Sequence, residues 1–335
     1  MDPLRIGVLG TARISATALL EPAARVPEVR VAAVAARDAS RATAYAEQHD
    51  IPVAYGSYDG LLADPDIDAV YIPLPNSRHG PWTLLAIAAG KHVLCEKPFA
   101  SNAAEAARVA DAAAASGLVV MEAMHYRYHP LTGRLVSLTG ELGPVRHIQC
   151  WTSFVISDPG DIRYDYALGG GALMDGGCYA LDCLRLLGPG EPAVTGALAS
   201  PVAGERLAVG RFGAVADRAM AVRLGFANGA TAWFESAFTL DGDFRADVHV
   251  SCEQGTVWVQ DFIRAHWGHL VATRDGSVLA DERGSGDTTY VGQLRAFAAA
   301  VVTGAAVPTS AAHAVTTMAL IDDAYRAAGL LPRGS

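Results

Sequence analysis

The stretch Gly7-Val8-Leu9-Gly10-Thr11-Ala12-Arg13-Ile14-Ser15 (GVLGTARIS) closes an apolar run, Leu4 to Leu9, that reads as a buried strand. It comes close to the strand–turn–helix fingerprint G-x-G-x-x-G, in which backbone N–H groups at a helix start face a pyrophosphate. Aligned on Gly10, the second glycine is Ala12 and the third Ser15. Both are small enough to let a phosphate, and the helix itself, approach the strand closely. The stretch therefore predicts a dinucleotide-binding turn built from Gly10, Thr11, Ala12, Arg13 and Ile14, against the alternative of an ordinary tight βα turn.

Working outward, residues 1–123 alternate short apolar runs with alanine-rich helical stretches, the pattern of βαβ units. Val29–Arg37, Ile67–Pro75, Lys91–Pro98 and Gly117–Met124 are the further strands. From residue 124 the pattern changes to a helical piece and then to strand-like runs without intervening helices: RHIQCWTSFVI, RAMAVRLGF, GATAWFESAF, ADVHVSCEQGTVWVQ and HLVATRD. Consecutive strands imply a mainly antiparallel sheet. Helical periodicity returns between Val291 and Ala328. The expected fold is thus α/β plus α+β: a doubly wound parallel sheet over residues 1–123 and a domain with an open, mainly antiparallel sheet over 124–335.

Composition narrows the partners. The 335 residues allow roughly two domains. A formal net charge of −9 argues against nucleic acid or an anionic membrane surface, leaving a small molecule. No apolar run reaches bilayer length, and MDPLRIGVLG enters a strand with no signal-peptide region, so the cytoplasm is expected. Cys95, Cys150, Cys178, Cys183 and Cys252 are odd in number and form no C-x-x-C, which suits reduced, structural thiols. The closing LLPRGS resembles in part an appended cloning remnant and is left out of the fold reasoning.

The most specific motif is AGKHVLCEKP, Ala89 to Pro98, preceded by Tyr71-Ile72-Pro73-Leu74-Pro75-Asn76-Ser77-Arg78-His79. With EAMHYRYHP (Glu122 to Pro130) and GGGALMDGGCY (Gly169 to Tyr179) it closely resembles the Gfo/Idh/MocA oxidoreductases, the group containing glucose-fructose oxidoreductase and inositol dehydrogenase. The resemblance covers nearly the whole chain. It implies a Rossmann domain, an open-sheet second domain and chemistry in the cleft between them. It also places the E-K-P lysine, here Lys97, in the active site, and Pro73, Leu74, Asn76, His79 and Glu96 with Lys97 around the cofactor. For His79 the alternative is a surface histidine at a helix start. The residues agree for Lys97, which ends a predicted parallel strand at the edge where such sheets bind ligands.

In GGGALMDGGCYALDCLRLLG, helical spacing puts Asp175, Tyr179 and Asp182 on one face. Gly176 and Gly177 within a helix cost about 1 kcal/mol each, which predicts a cofactor ring or substrate close to the backbone. Many members of the resembled family have histidine as acid or base where Tyr179 stands; tyrosine is similar to its dihydrodiol dehydrogenases and nucleotide-sugar ketoreductases. A phenol of pKa about 10 can give its proton to a ketone, and the Lys97 ammonium would favour the phenolate left behind. The alternative for Tyr179 is a core tyrosine with a satisfied hydroxyl. Asp175 either orients the reacting group or caps local structure. Tyr126, Arg163 and Tyr179 are the candidate substrate contacts. His125 and His129 stand at i, i+4, but no third ligand has a recognisable spacing, so no metal site is expected.

Cofactor choice turns on Ala35-Ala36-Arg37-Asp38, where an NAD site would carry an acid at the strand end for the ribose 2′-OH. Ala36 followed by Arg37 favours NADP(H) over NAD(H), the guanidinium forming a fork on the 2′-phosphate. Asp38 either caps the next helix or binds ribose. The expected activity is hydride transfer between NADP(H) and a carbonyl or secondary alcohol of a carbohydrate-like substrate or cyclic polyol, with Tyr179 and Lys97 moving the proton. The runner-up readings are a dihydrodiol or aldose dehydrogenase and a non-catalytic dinucleotide sensor. A homodimer or homotetramer is expected, the C-terminal sheet offering a face for it.

Overall fold

The computed structural model describes residues 2–158, 160–202 and 215–334. The chain divides into two compact units, Met1–His125 with Tyr290–Val315, and Tyr126–Thr289 with Thr316–Ser335. Residues 290–315, grouped with the second domain on sequence pattern, thus pack with the first.

The first unit is built on six parallel strands, β1 (Leu4–Leu9), β2 (Val29–Ala35), β3 (Val53–Tyr55), β4 (Ala69–Ile72), β5 (His92–Cys95) and β6 (Val120–Glu122), in the order β3-β2-β1-β4-β5-β6. This is the doubly wound dinucleotide-binding order, with its switch point beside β1. Residues such as Ile6, Val8, Val34, Val70 and Leu94 are fully buried, as strands covered on both faces require. β3 is missing from the sequence reading because it is only three residues long, with Val53 and Ala54 exposed and Tyr55 half-buried.

The second unit carries an eight-stranded sheet of β7 (Val145–Val155), β8 (Ala193–Pro201), β9 (Asp217–Gly225), β10 (Thr231–Thr239), β11 (Arg245–Cys252), β12 (Gly255–Gln260), β13 (His269–Arg274) and β14 (Ser277–Arg283). Their order is β14-β13-β12-β11-β7-β10-β9-β8. Every neighbouring pair is antiparallel except β7 and β10, which run parallel from His147↔Thr231 to Val155↔Thr239. The cause is the helical crossover after β7: it delivers the chain to edge strand β8 running parallel to β7, and two reversals bring β10 back alongside in the same sense. The helix Cys178–Leu187 lies on β7 and β10, burying Leu181, Leu184 and Cys183.

Residues 330–334, left out of the sequence reading, pack as part of this unit. Leu330 and Arg333 are fully buried. The Arg333 guanidinium donates to Asp217 (2.7 Å) and to the Gly170 carbonyl (2.6 Å), and lies over the rings of Tyr325 and Tyr166.

Candidate active site

In the first unit, the strand register brings the C-terminal ends of β1, β2, β4 and β5 to one edge: Leu9 pairs with Ala35, and Ile72 with Cys95. The residues that follow, Gly10, Ala36, Pro73 and Glu96, form the rim. Gly10 takes φ +110°, and a Cβ there would stand 3.0 Å from Leu74 Cδ2, so the turn needs glycine in both conformation and space. Its N–H donates to the Ala35 carbonyl at 2.8 Å. After Thr11, Ala12 and the exposed Arg13, the chain is helical over residues 14–23, with Ile14 40% exposed and Ser15 fully buried. Ser15 thus stands, fully buried, at the third glycine position.

Of the two roles read for Asp38 at the end of β2, the helix cap is the one seen here. Asp38 is the N-cap of the helix Ala39–Gln48: its carboxylate accepts from the Ser40 N–H and hydroxyl, each at 2.8 Å, which lowers its pKa. Ala36 is buried and Arg37 exposed. A second cation, unforeseen from the sequence, joins this rim: Arg41 donates to the Thr11 hydroxyl at 3.2 Å. Its position one helical turn after Arg37 was the available signal.

Three carboxylates hold the turn that carries Lys97. Glu96 accepts from the Tyr71 hydroxyl (2.7 Å) and the Lys97 N–H (3.3 Å), Glu122 from the Phe99 N–H (2.9 Å), and Glu105 from the Ser101 N–H (2.6 Å). All three are buried, whereas the Lys97 side chain is half-buried. Glu96 therefore serves the turn. His79, 1% exposed, is not a surface residue. Its ring nitrogens lie 2.7 Å from the carbonyls of Pro98 and Leu74, joining the loop that carries Pro73, Leu74 and Asn76 to the Lys97 turn. Two carbonyl partners would suit an imidazolium, but burial outweighs them and pushes the pKa down to about 4. The ring is neutral at pH 7 and donates one of the two bonds.

In the second unit, residues 173–177 form a π-helical turn that runs into the helix bearing Tyr179, which is 3% exposed. Such insertions concentrate where a side chain must be re-aimed. Asp175 accepts from Arg163 Nε at 3.0 Å, and the same guanidinium reaches Asp161 at 3.1 Å. The two candidates Arg163 and Asp175 are thus brought together, the Asp175 charge being the main cause of the raised Arg163 pKa.

Tyr126 is fully buried, donates its hydroxyl to Asp182 at 2.5 Å and packs edge-to-face on Tyr179 with ring centroids 6.1 Å apart, so in this structure it buttresses Tyr179. Burial and the Asp182 charge hold its pKa well above the ordinary phenol value, which keeps it a donor. The close approach at Gly176 is made by the sheet and not by a ligand: a Cβ would stand 2.6 Å from Phe154 Cε2 and 2.7 Å from Ser236 Oγ.

His129 caps the helix Pro130–Glu141, accepting from the Leu131 N–H, and His125 stacks on Tyr290 at 4.0 Å. Among the described residues no three His, Cys, Asp or Glu side chains are grouped to hold a metal ion, and no helix is long and apolar enough to cross a membrane.

This geometry agrees with comparisons to known proteins. The model of the Gfo/Idh/MocA oxidoreductase family with its NAD-binding Rossmann fold matches residues 4–124, and that of the Gfo/Idh/MocA C-terminal domain matches 135–258. The chain belongs to the Gfo/Idh/MocA family of oxidoreductases. A D-xylose 1-dehydrogenase (NADP(+)) of Haloferax volcanii is 36% identical over 97% of both chains. A 3-ketoreductase from Actinomadura kijaniata, solved in complex with NADP and TDP-benzene, is 27% identical with TM-score 0.85 over 98% of both chains. An aldose-aldose oxidoreductase from Caulobacter crescentus, complexed with glycerol, is 28% identical with TM-score 0.86 over 97% of both. That these relatives are named oxidoreductases favours an enzyme over the sensor reading.

Proposed function

We propose that this chain transfers hydride between NADP(H) and a hydroxyl or carbonyl carbon of a sugar, with Tyr179 and Lys97 as the proton-handling pair. The observation that carries the cofactor part is the end of β2: a buried Ala36, an Asp38 engaged as a helix cap, and two cations, Arg37 and Arg41, on the same rim. A ribose 2′-OH would need a carboxylate there, whereas a 2′-phosphate needs guanidiniums. Gly10, Thr11 and Ala12, leading into the helix, would cradle the pyrophosphate. NADP(H), when bound, supplies or accepts the hydride. In the reductive direction the Tyr179 hydroxyl gives its proton to the substrate oxygen, and the Lys97 ammonium stabilises the phenolate; oxidation runs the same transfer in reverse. Arg163, positioned by Asp161 and Asp175, would contact substrate hydroxyls.

The full-length similarity to a D-xylose dehydrogenase favours an aldose as substrate. The similarity to a ketoreductase solved with a TDP ligand supports a second reading, a nucleotide-linked ketosugar. Turnover of free aldoses with NADP⁺ against turnover of dTDP-linked ketosugars with NADPH separates the two. On whichever substrate is accepted, Tyr179→Phe should retain NADPH binding and lower single-turnover hydride transfer by about two to four orders of magnitude. Lys97→Met should do comparable damage, and the double variant scarcely more, because two residues acting as one unit are not additive. Near-wild-type transfer in Tyr179→Phe would move the acid role to Lys97.

A further inference from the structure

Beside Tyr179 the second unit buries three polar side chains that the proton transfer as written does not use. Tyr126 and Asp182 are fully buried, and the Arg127 side chain is 10% exposed. The Tyr126 hydroxyl donates to Asp182 Oδ2 at 2.5 Å, and Arg127 Nη1 stands 3.5 Å from the same oxygen. That nitrogen is buried and makes no hydrogen bond among the described residues, so it meets the carboxylate as a charge. Asp182 lies one helical turn after Tyr179 on the helix Cys178–Leu187. The Tyr126 ring closes the set, meeting Tyr179 at 67° with centroids 6.1 Å apart and Phe262 at 82° and 5.3 Å. Its main chain is held as well, the Tyr126 carbonyl accepting from the Thr132 hydroxyl at 2.7 Å.

We propose that Tyr126, Asp182 and Arg127 are positioning residues for Tyr179: Asp182 fixes the Tyr126 ring on which Tyr179 packs, and Arg127 offsets the carboxylate so that Tyr179 can give up its proton. The inference rests on Tyr179 as the proton donor. Packing does not account for the three, because apolar side chains of the same volume would hold the helix as well without taking charges out of water. Orientation does account for the hydroxyl: a phenylalanine ring has nothing to fix where its edge falls, whereas a phenol tied to a buried carboxylate does. Reduction of a substrate carbonyl leaves Tyr179 a phenolate, and an unopposed carboxylate one turn away within the protein would resist that second negative charge. Lys97, in the catalytic reading, favours the phenolate; Arg127 removes what would oppose it. Tyr126, Arg127 and Cys183 face the Asp182 carboxylate, and Cys150 of β7 faces Cys183. Burial pushes both thiols and the Tyr126 phenol up, so these stay neutral and Arg127 brings the opposing charge. The elements packed on this helix answer their own charges: Asp175 pairs with Arg163, Arg134 with Glu282 and Arg146 with Glu253, while Glu235 of β10 is exposed.

The test is the pH profile of single-turnover hydride transfer to NADP⁺, in which Tyr179 must be deprotonated and the rate rises with pH to a plateau. Arg127→Met should move the midpoint up by about one unit and Asp182→Asn down by as much, about tenfold in proton affinity each way. The double variant should return it to the wild-type position, and Arg127→Lys, which keeps the charge, should hold it there. Residues that served packing alone would lower stability without moving the midpoint, least of all in opposite directions. Tyr126→Phe should lower the plateau about tenfold while the Kd of NADP⁺ stays unchanged. If either single charge variant does not fold, Tyr126→Phe, which keeps the ring and both charges, decides the matter. A midpoint at the wild-type value in both charge variants, or a Tyr126→Phe plateau within about twofold of wild type, overturns the proposal. With Tyr179→Phe inactive, that result removes the positioning role alone; near-wild-type transfer in Tyr179→Phe removes the catalytic reading and this inference with it.

Discussion

His79 and Arg37 are single residues whose surroundings make measurable predictions. The His79 imidazole has a native pKa of about 4 against an unfolded 6.5, because burial penalises the cation. A depressed native pKa stabilises the fold fully above pH 6.5 and loses that stabilisation as the pH falls toward 4, because there the unfolded chain binds the extra proton. The change is about 3 kcal/mol at most. Urea unfolding of the wild type across this range should therefore lose more stability than that of His79→Gln; parallel curves would remove His79 from the account. Arg37→Ala should erase most of a preference for NADPH over NADH of at least about tenfold, or 1.4 kcal/mol, read by fluorescence quenching. A wild-type preference for NADH would restore Asp38 as ribose ligand. Lys97, Arg37 and Tyr179 are proposed from the sequence because motif and strand end mark them, and their roles rest on the variants above. Glu105 and Glu122 were not legible there: the amides they hold, Ser101 and Phe99, lie on the far side of a turn that only the fold closes.

Among elements, the π-turn and helix bearing Tyr179 depend on a latch formed by distant chain segments. Asp217, at the start of β9, accepts from the Leu173 N–H at 2.7 Å with one carboxylate oxygen and from Tyr325 and Arg333 with the other. Asp217 and Arg333 are both fully buried. Arg333→Met leaves a buried carboxylate short of its cation, which should cost about 3–5 kcal/mol of unfolding free energy. Pairing it with Asp217→Asn should recover much of that loss, since a neutral amide needs no counter-charge; denaturant midpoints of the two single variants and the double would show it. A loss below about 1 kcal/mol in Arg333→Met, the size of a surface pair, would mean that the latch is dispensable. No sequence pattern exposed this arrangement, since a lone arginine near a chain end normally reads as solvated. The strands fared better where side chains alternate. β7, β9, β10, β11, β12 and β13 were legible, but β8 (AVTGALASP) leaves Leu198 78% exposed and β14 keeps Val278 67% exposed.

For the molecule as a whole, the chain passes between the two units three times, at residues 125–126, 289–290 and 315–316, so neither unit is a continuous segment. The returning piece covers the edge of the parallel sheet. Thr309 accepts from the Glu122 N–H and donates its hydroxyl to the Glu122 carbonyl, both at 2.8 Å, and Ser310 bridges to Met121. Without it β6 becomes an open edge with an exposed Met121, a template for aggregation. The same loss reaches the site, because the Glu122 side chain holds the Phe99 N–H two residues beyond Lys97. A fragment of residues 1–125 should therefore unfold without cooperativity and bind NADPH at least about tenfold more weakly than the full chain, about 1.4 kcal/mol. Joining residues 290–315 to it through a flexible glycine–serine linker long enough to span the gap should restore cooperative unfolding and most of the affinity. If residues 1–125 alone unfold cooperatively and bind NADPH as tightly as the joined form, the returning segment neither seals β6 nor supports the turn that carries Lys97.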